Sequence, residues 1–221
     1  MDLLTTLTWI GAAITLIGTT RYIIGILKDG TKPRLASWIA WLTSNGVLTI
    51  VAFMDGAYLP ALFNALAVVG NIGVLIAASR QKAGRRPSGT TDWLCLSAAL
   101  ACLVLMISFP EIAVFGAIMA MAANLIATWP TIIHAWQKPF EETWHLFLAN
   151  ISACTLAMIG VVGSVGWELA LIAGPLVTMS GNFILIFITL GRRYAPSVLA
   201  ELEKDVAELS GPRLDLDSSA E

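Results

Sequence analysis

Seven long apolar stretches dominate this chain and decide what it can fold into. They cover roughly residues 3–27, 36–54, 58–79, 93–109, 112–134, 144–162 and 169–190. A helix needs about 20 apolar residues to cross ~30 Å of hydrocarbon. Turn and charge signals separate the stretches: Lys28-Asp29-Gly30, Asp55-Gly56, Arg80 to Thr91, Pro110-Glu111, Gln137 to Glu142 and Gly163 to Glu168. The first stretch exceeds the bilayer, so it is expected to tilt or to end near Arg21. Of the 221 residues, 57% are hydrophobic and only 13% are charged, with a mean hydropathy of +0.78. A soluble domain carries about 25% charged residues. It could not hide this many apolar side chains in one core. An ordinary soluble enzyme, a nucleic-acid-binding domain and a disordered chain are therefore excluded, and an integral, multi-pass membrane protein is expected.

Lysine and arginine set the expected orientation. Seven crossings place alternate loops on opposite sides. All 13 basic residues, from Arg21, Lys28, Lys32 and Arg34 to Lys204 and Arg213, then fall on one side. Asp2, Asp55, Glu111 and Glu168 fall on the other, without a basic residue among them. The N-terminus is expected outside and the C-terminus in the cytosol, in a cytoplasmic (inner or plasma) membrane. The start, Met1-Asp2-Leu3, lacks the basic n-region of a cleavable signal peptide. Cys95, Cys102 and Cys154 lie inside apolar runs and read as small buried hydrophobes, not as a disulfide or zinc framework. In the tail, Val198, Leu202, Val206 and Leu209 recur at helical spacing among Glu201, Glu203, Asp205 and Glu208. This predicts a short cytosolic amphipathic helix, with disorder after Pro212.

The chain also matches itself. Lys32-Pro33 is followed by Ser37-Trp38, and Lys138-Pro139 is followed at the same spacing by Thr143-Trp144. Upstream, Thr20-Arg21-Tyr22 lines up with Thr128-Trp129-Pro130 once the second loop is shortened by two residues. Downstream, Gly70-Asn71 lines up with Gly181-Asn182, and both helices end at arginines, Arg80 and Arg192. The expected fold class is thus an all-α membrane protein: seven transmembrane helices as two parallel three-helix repeats joined by one helix (3+1+3). Residues 1–80 form the first repeat, 81–110 the linker loop and fourth helix, 111–193 the second repeat and 194–221 the cytosolic tail. An odd number of helices would invert a directly following copy, and the single fourth helix restores the orientation. Internal repeats of this kind mark transporters, with the site near the midplane.

A 3+1+3 layout with loop motifs after helices 1 and 5 resembles the SWEET and PQ-loop superfamily over residues 3–192. Trp129-Pro130-Thr131 stands where that family carries its Pro-Gln pair, and Arg21-Tyr22 occupies the matching place in helix 1. Asn71 and Asn182 stand in the third helix of each unit, where SWEETs place a pair of sugar-binding asparagines. The resemblance implies facilitated passage of a small neutral polar solute, sugar-like, by alternating access. A PQ-loop-like amino-acid or metabolite transporter is one alternative. A non-transporting receptor or assembly protein is another.

Without the family, the polar residues point the same way. Asn45, Asn71, Asn124, Asn150 and Asn182 fall near the centres of helices 2, 3, 5, 6 and 7. An amide facing lipid has nothing to bond, so each must turn inward. There it bonds across helices, at about 0.6 kcal/mol, or lines a wet cavity. Five amides at one depth favour the cavity. Amides suit hydroxyls, amides or zwitterion edges, and no charged side chain is expected at mid-depth, which argues against a pump or an ion channel. Pro130 is the candidate hinge, expected to break helix 5 near its cytosolic end, with Arg21 and Tyr22 as candidate inner-gate residues. Pro175, seven residues before Asn182, permits a kink in helix 7.

Trp38, Trp93, Trp136, Trp144 and Trp167 are expected in the interfacial belt, while Trp9, Trp41 and Trp129 lie deeper. Ser37 and Thr143 are expected to cap helices 2 and 6. His134 and His145 flank Glu141 and Glu142 near one loop, and read as loop residues rather than as a metal or acid–base cluster. No catalytic array, phosphate loop or redox motif is present, so neither enzymatic activity nor a cofactor is expected. The partners expected are the solute and membrane lipid, with homo-oligomerisation open.

Overall fold

A computed structural model describes residues 3–54, 56, 58–84, 86–87, 89–109, 113–165 and 169–209. They form seven α-helices and no β-strand: α1 Leu3–Lys28, α2 Leu35–Met54, α3 Tyr58–Arg80, α4 Thr90–Ser108, α5 Ala113–Gln137, α6 Trp144–Val165 and α7 Leu169–Leu209. A 3-10 turn, Pro139–Glu141, precedes α6. Among the described residues, five helical segments are long and apolar enough to cross a membrane: Thr5–Lys28, Leu35–Met54, Ala61–Arg80, Thr90–Ser108 and Pro175–Ser197. Asp55, Arg85, Glu111, Trp167, Glu168 and the tail beyond Leu209 lie outside the described residues.

The apolar runs and the helices agree to within a turn, except at the end of α7. α1 spans the whole of its apolar run, which leaves the tilted form of the two expected outcomes. It continues to Lys28, where Gly30 takes a left-handed backbone (φ +76°) and the Thr31 N–H reaches back 3.1 Å to the Gly25 carbonyl, closing the helix end. α7 does not stop near residue 190. It runs through Arg192, Arg193 and Pro196 to Leu209 without a break. The arginines change the polarity of the surface but not the backbone preference. The Leu-, Ala-, Glu- and Lys-rich stretch that follows is made of strong helix formers. The tail helix is therefore continuous with the last apolar helix, and the side chains of its Val198–Leu209 face lie outside those described.

The packing order is the same in the two sets of three helices. α3 contacts both α1 and α2, and α7 contacts both α5 and α6. Across the sets, α1 packs on α6 and α2 on α5, while α4 lies against α2 and α5. The α1–α6 contact is the most extensive in the molecule. Its cause is a row of glycines, Gly11, Gly18 and Gly25, one every seven residues and so on one helix face. A Cβ at Gly11 would stand 3.1 Å from the Ala153 carbonyl oxygen, and one at Gly18 would collide with the Ala149 Cβ. One at Gly25 would stand 2.7 Å from Thr31 Oγ1 and 3.0 Å from Thr143 Oγ1. Where the hydrophobic effect cannot drive helices together, such close approach supplies the attraction.

The α1–α2 loop, the turn before α6, the start of α4 and Arg193 of α7 meet at one end of the bundle. Lys32 pairs with Glu141 at 3.0 Å, and its N–H donates to the Glu141 carbonyl at 2.8 Å. Arg34 grips the buried Asp92 with two bonds, Nε at 3.2 Å and Nη2 at 2.6 Å, which anchors α4. This is termed the basic end below.

Candidate functional site

The expected amides are not arranged alike. Asn71 and Asn182 are both buried, each preceded by a glycine against which another helix packs. A Cβ at Gly70 would lie 3.0 Å from Thr19 Cγ2 of α1; one at Gly181 would lie 3.4 Å from Thr128 Cγ2 of α5. Thr128 thus matches Thr19, not Thr20 as the sequence alignment had it. Two adjacent threonines make that alignment degenerate, and only the contact with glycine resolves it. Three residues after each asparagine, Val74 and Leu185 are fully buried in the same apolar cluster.

The hydrogen bonding then diverges. Asn182 Nδ2 donates to the Thr178 carbonyl at 2.6 Å, and Asn182 Oδ1 accepts a long bond of 3.4 Å from Asn150 Nδ2. In the other set, Asn71 Nδ2 is buried with no hydrogen-bond partner among the described residues. So is the hydroxyl of Ser44 on α2. Ser44 is the match of Asn150 in the register that pairs Trp38 with Trp144. Composition did not single it out, because serine is unremarkable in a helix; the repeat register would have. Asn45 is half-buried and bonds back to the Trp41 carbonyl at 2.9 Å. Asn124 is half-buried, and its main-chain carbonyl accepts from Thr128 Oγ1 at 2.8 Å. An apolar cleft lies elsewhere, between α1 and α3, lined by Thr8, Trp9, Ala12, Leu62, Phe63 and Leu66.

Toward the basic end the bundle interior is filled by apolar side chains. Tyr22, Trp38, Val74, Ala135, Phe147 and Leu185, one from each of six helices, form a continuous buried cluster. Trp38 is a core residue and not a belt anchor: its ring lies 5.0 Å from Tyr22 and 5.3 Å from Trp41. Trp93 and Trp136 are exposed, as belt residues are, but so are Trp9 and Trp129. Ser37 lies inside α2, which begins at Leu35, and so does not cap it. Thr143 stands directly before α6, and its hydroxyl meets that of Thr31 at 2.6 Å.

Of the candidate gate residues, Arg21 is exposed and pairs with Asp29 at 2.8 Å. Tyr22 is fully buried, and its hydroxyl donates to Glu142 Oε2 at 2.9 Å. Pro130 is buried within α5, which does not break there but runs on to Gln137. The helix continues through it, although the proline has no N–H to donate and one carbonyl loses its partner. Pro175 likewise lies inside α7.

Beside Tyr22 lies a polar knot that composition underrated. Glu142 is buried; its Oε1 lies 4.0 Å from His134 Nε2, which is 3.4 Å from Glu141 Oε2. Arg193 donates to the Pro139 carbonyl at 2.7 Å and to the Glu142 main-chain carbonyl. Burial pushes the Glu142 carboxyl up to about 8, against the Tyr22 hydrogen bond and the Arg193 charge, which favour the anion; Glu141 adds to the rise. His145 is not part of the knot and stacks on Trp144. Among the described residues no His, Cys, Asp and Glu set is arranged to hold a metal, and the three cysteines are free thiols. The chain matches no family model, no curated protein and no solved structure.

Proposed function

We propose that this chain is a SWEET-like, seven-span facilitator built as 3+1+3, N-terminus outside, that moves a small neutral polar solute by alternating access. The reading rests on three supports. The third helix lies between the first two in both sets, as two copies of one unit would pack. The sets face each other crosswise, α1 on α6 and α2 on α5, which suits rocking about a shared axis. At the matched depth, Asn71 and Ser44 hold buried polar groups without protein partners.

That last observation carries the proposal. A buried unpaired donor costs about 1–3 kcal/mol, so its retention calls for a partner that arrives from elsewhere. Asn71 and Asn182 bind the solute, with Asn45, Asn124 and Asn150 extending the polar lining. Tyr22 closes the cytosolic mouth, and the two units pivot near Pro130 and Pro175. Amide donors and acceptors select hydroxyl or amide groups without neutralising a charge.

The test is solute flux into proteoliposomes, across a panel of sugars and neutral amino acids. Changing Asn71 and Asn182 together to leucine is expected to abolish flux while the protein remains monodisperse. Undiminished flux in that double variant removes the site. Uptake of amino acids alone selects the PQ-loop-like alternative. No flux of any solute by the wild type removes the transport reading.

A further inference from the structure

The knot at the basic end is not used by the proposed solute site, yet it joins the two halves of the bundle. Tyr22 comes from α1 and Glu142 from the segment before α6. Around them, Lys32 of the α1–α2 loop holds Glu141, and Thr31 meets Thr143. A seam made of apolar and glycine contacts alone would part without changing the charge of any group. This one places a carboxyl, a phenol and an imidazole where separation must re-solvate them.

We infer that Glu142 and Tyr22 form a proton-operated latch: with the basic end shut, Glu142 keeps its proton under Tyr22, and opening that end releases the proton to water. This rests on the reading above only in taking the basic end to open. Among the described residues, four titratable or charged groups face Glu142. α1 supplies Tyr22, α5 His134, the 3-10 turn Glu141 and α7 Arg193. Lys32 faces Glu141. From α2, the Trp38 ring packs on Tyr22 and carries no charge.

The sign follows from the two states. Shut, the carboxyl titrates at about 8; exposed to water it returns toward its ordinary value of 4.5. Below the lower value both states are protonated, and closure is fully favoured. Between the two, closing takes up one proton, so each pH unit shifts the ratio toward open by at most about tenfold. Above the upper value nothing further is lost. Acid therefore holds the basic end shut and alkali loosens it. The Arg193 guanidinium is anchored on main-chain carbonyls, so it steadies the turn in both states.

The experiment is a spin-label distance across this seam, from Lys28→Cys to Lys138→Cys, in the full chain in lipid nanodiscs. Cys95, Cys102 and Cys154 are replaced by alanine. Both label sites are exposed. The long-distance population is expected to rise between pH 5.5 and 8.5 in the wild type. Glu142→Gln, which mimics the protonated group, is expected to stay short throughout. Tyr22→Phe removes a donor that favours the anion, so its transition is expected to move to higher pH. His134→Asn is expected to keep a pH-dependent transition. A wild-type distance that ignores pH, a Glu142→Gln titration like the wild type, or loss of the transition in His134→Asn overturns the latch. Should Glu142→Gln fail to fold, an unmoved midpoint in Tyr22→Phe does the same. No solute is needed, so a latch that titrates without flux sinks transport alone, and flux without titration sinks the latch alone.

Discussion

The two seams between the helix sets occupy matching places and are built from different chemistry. At the α1–α6 seam, glycines meet alanine and threonine, and the basic end is crowned by Tyr22–Glu142 and Lys32–Glu141. At the α2–α5 seam, Ala40, Ala123 and Ala127 are buried with Ala99, Leu103 and Met106 of α4, and the buried Asp92 of α4 is held by Arg34 at the basic end. The first is tight because side chains are missing. The second is filled because a fourth helix supplies them. A contact with no spare volume holds a fixed distance and leaves no room for a larger side chain. In the latch proposed above, the polar crown would decide when the tight seam parts.

Substitution can break this contrast, and the sharpest cut is at its tightest point. Gly18→Leu drives a branched side chain into Ala149 and Leu146 and is expected to eliminate monodisperse protein in size-exclusion chromatography. Ala127→Val adds two methyl groups to the opposite seam, where Ala127 is 1% exposed. Overpacking of that kind costs about 1–3 kcal/mol, read as a Tm lower by several degrees in detergent with protein still recovered. If Ala127→Val proves as damaging as Gly18→Leu, the seams do not differ as described. Arg21→Ala removes an exposed ion pair near the crown without touching the buried knot. It is expected to alter stability by no more than about 0.5 kcal/mol, with an unchanged Tm as the readout. A large loss there would move the latch from Tyr22 to its neighbour.

How much of this was legible before any coordinates depends on the kind of signal. The seven helices were, because desolvating a backbone requires long apolar runs, and such runs are visible one residue at a time. The burial of Asn71 and Asn182 was legible too, since an amide in an apolar run has only inward directions to take. Trp38 was misassigned because position at a span end does not say which way a ring turns. α7 was ended too early because Arg192 and Arg193 mark a change of surroundings rather than of backbone. The glycine row was present at a spacing of seven, but a glycine face has meaning only when the helix opposite it is known.

Local physics in the chain determined the helices, their breaks and which polar groups had to leave the lipid, because each depends on neighbours in sequence. Tertiary structure alone decided that Asn150 reaches Asn182 while Ser44 Oγ and Asn71 Nδ2 find no partner among the described residues, and that a tyrosine of the first helix covers a glutamate 120 residues away. Those outcomes hang on distances between helices, and the packed side chains set such distances collectively.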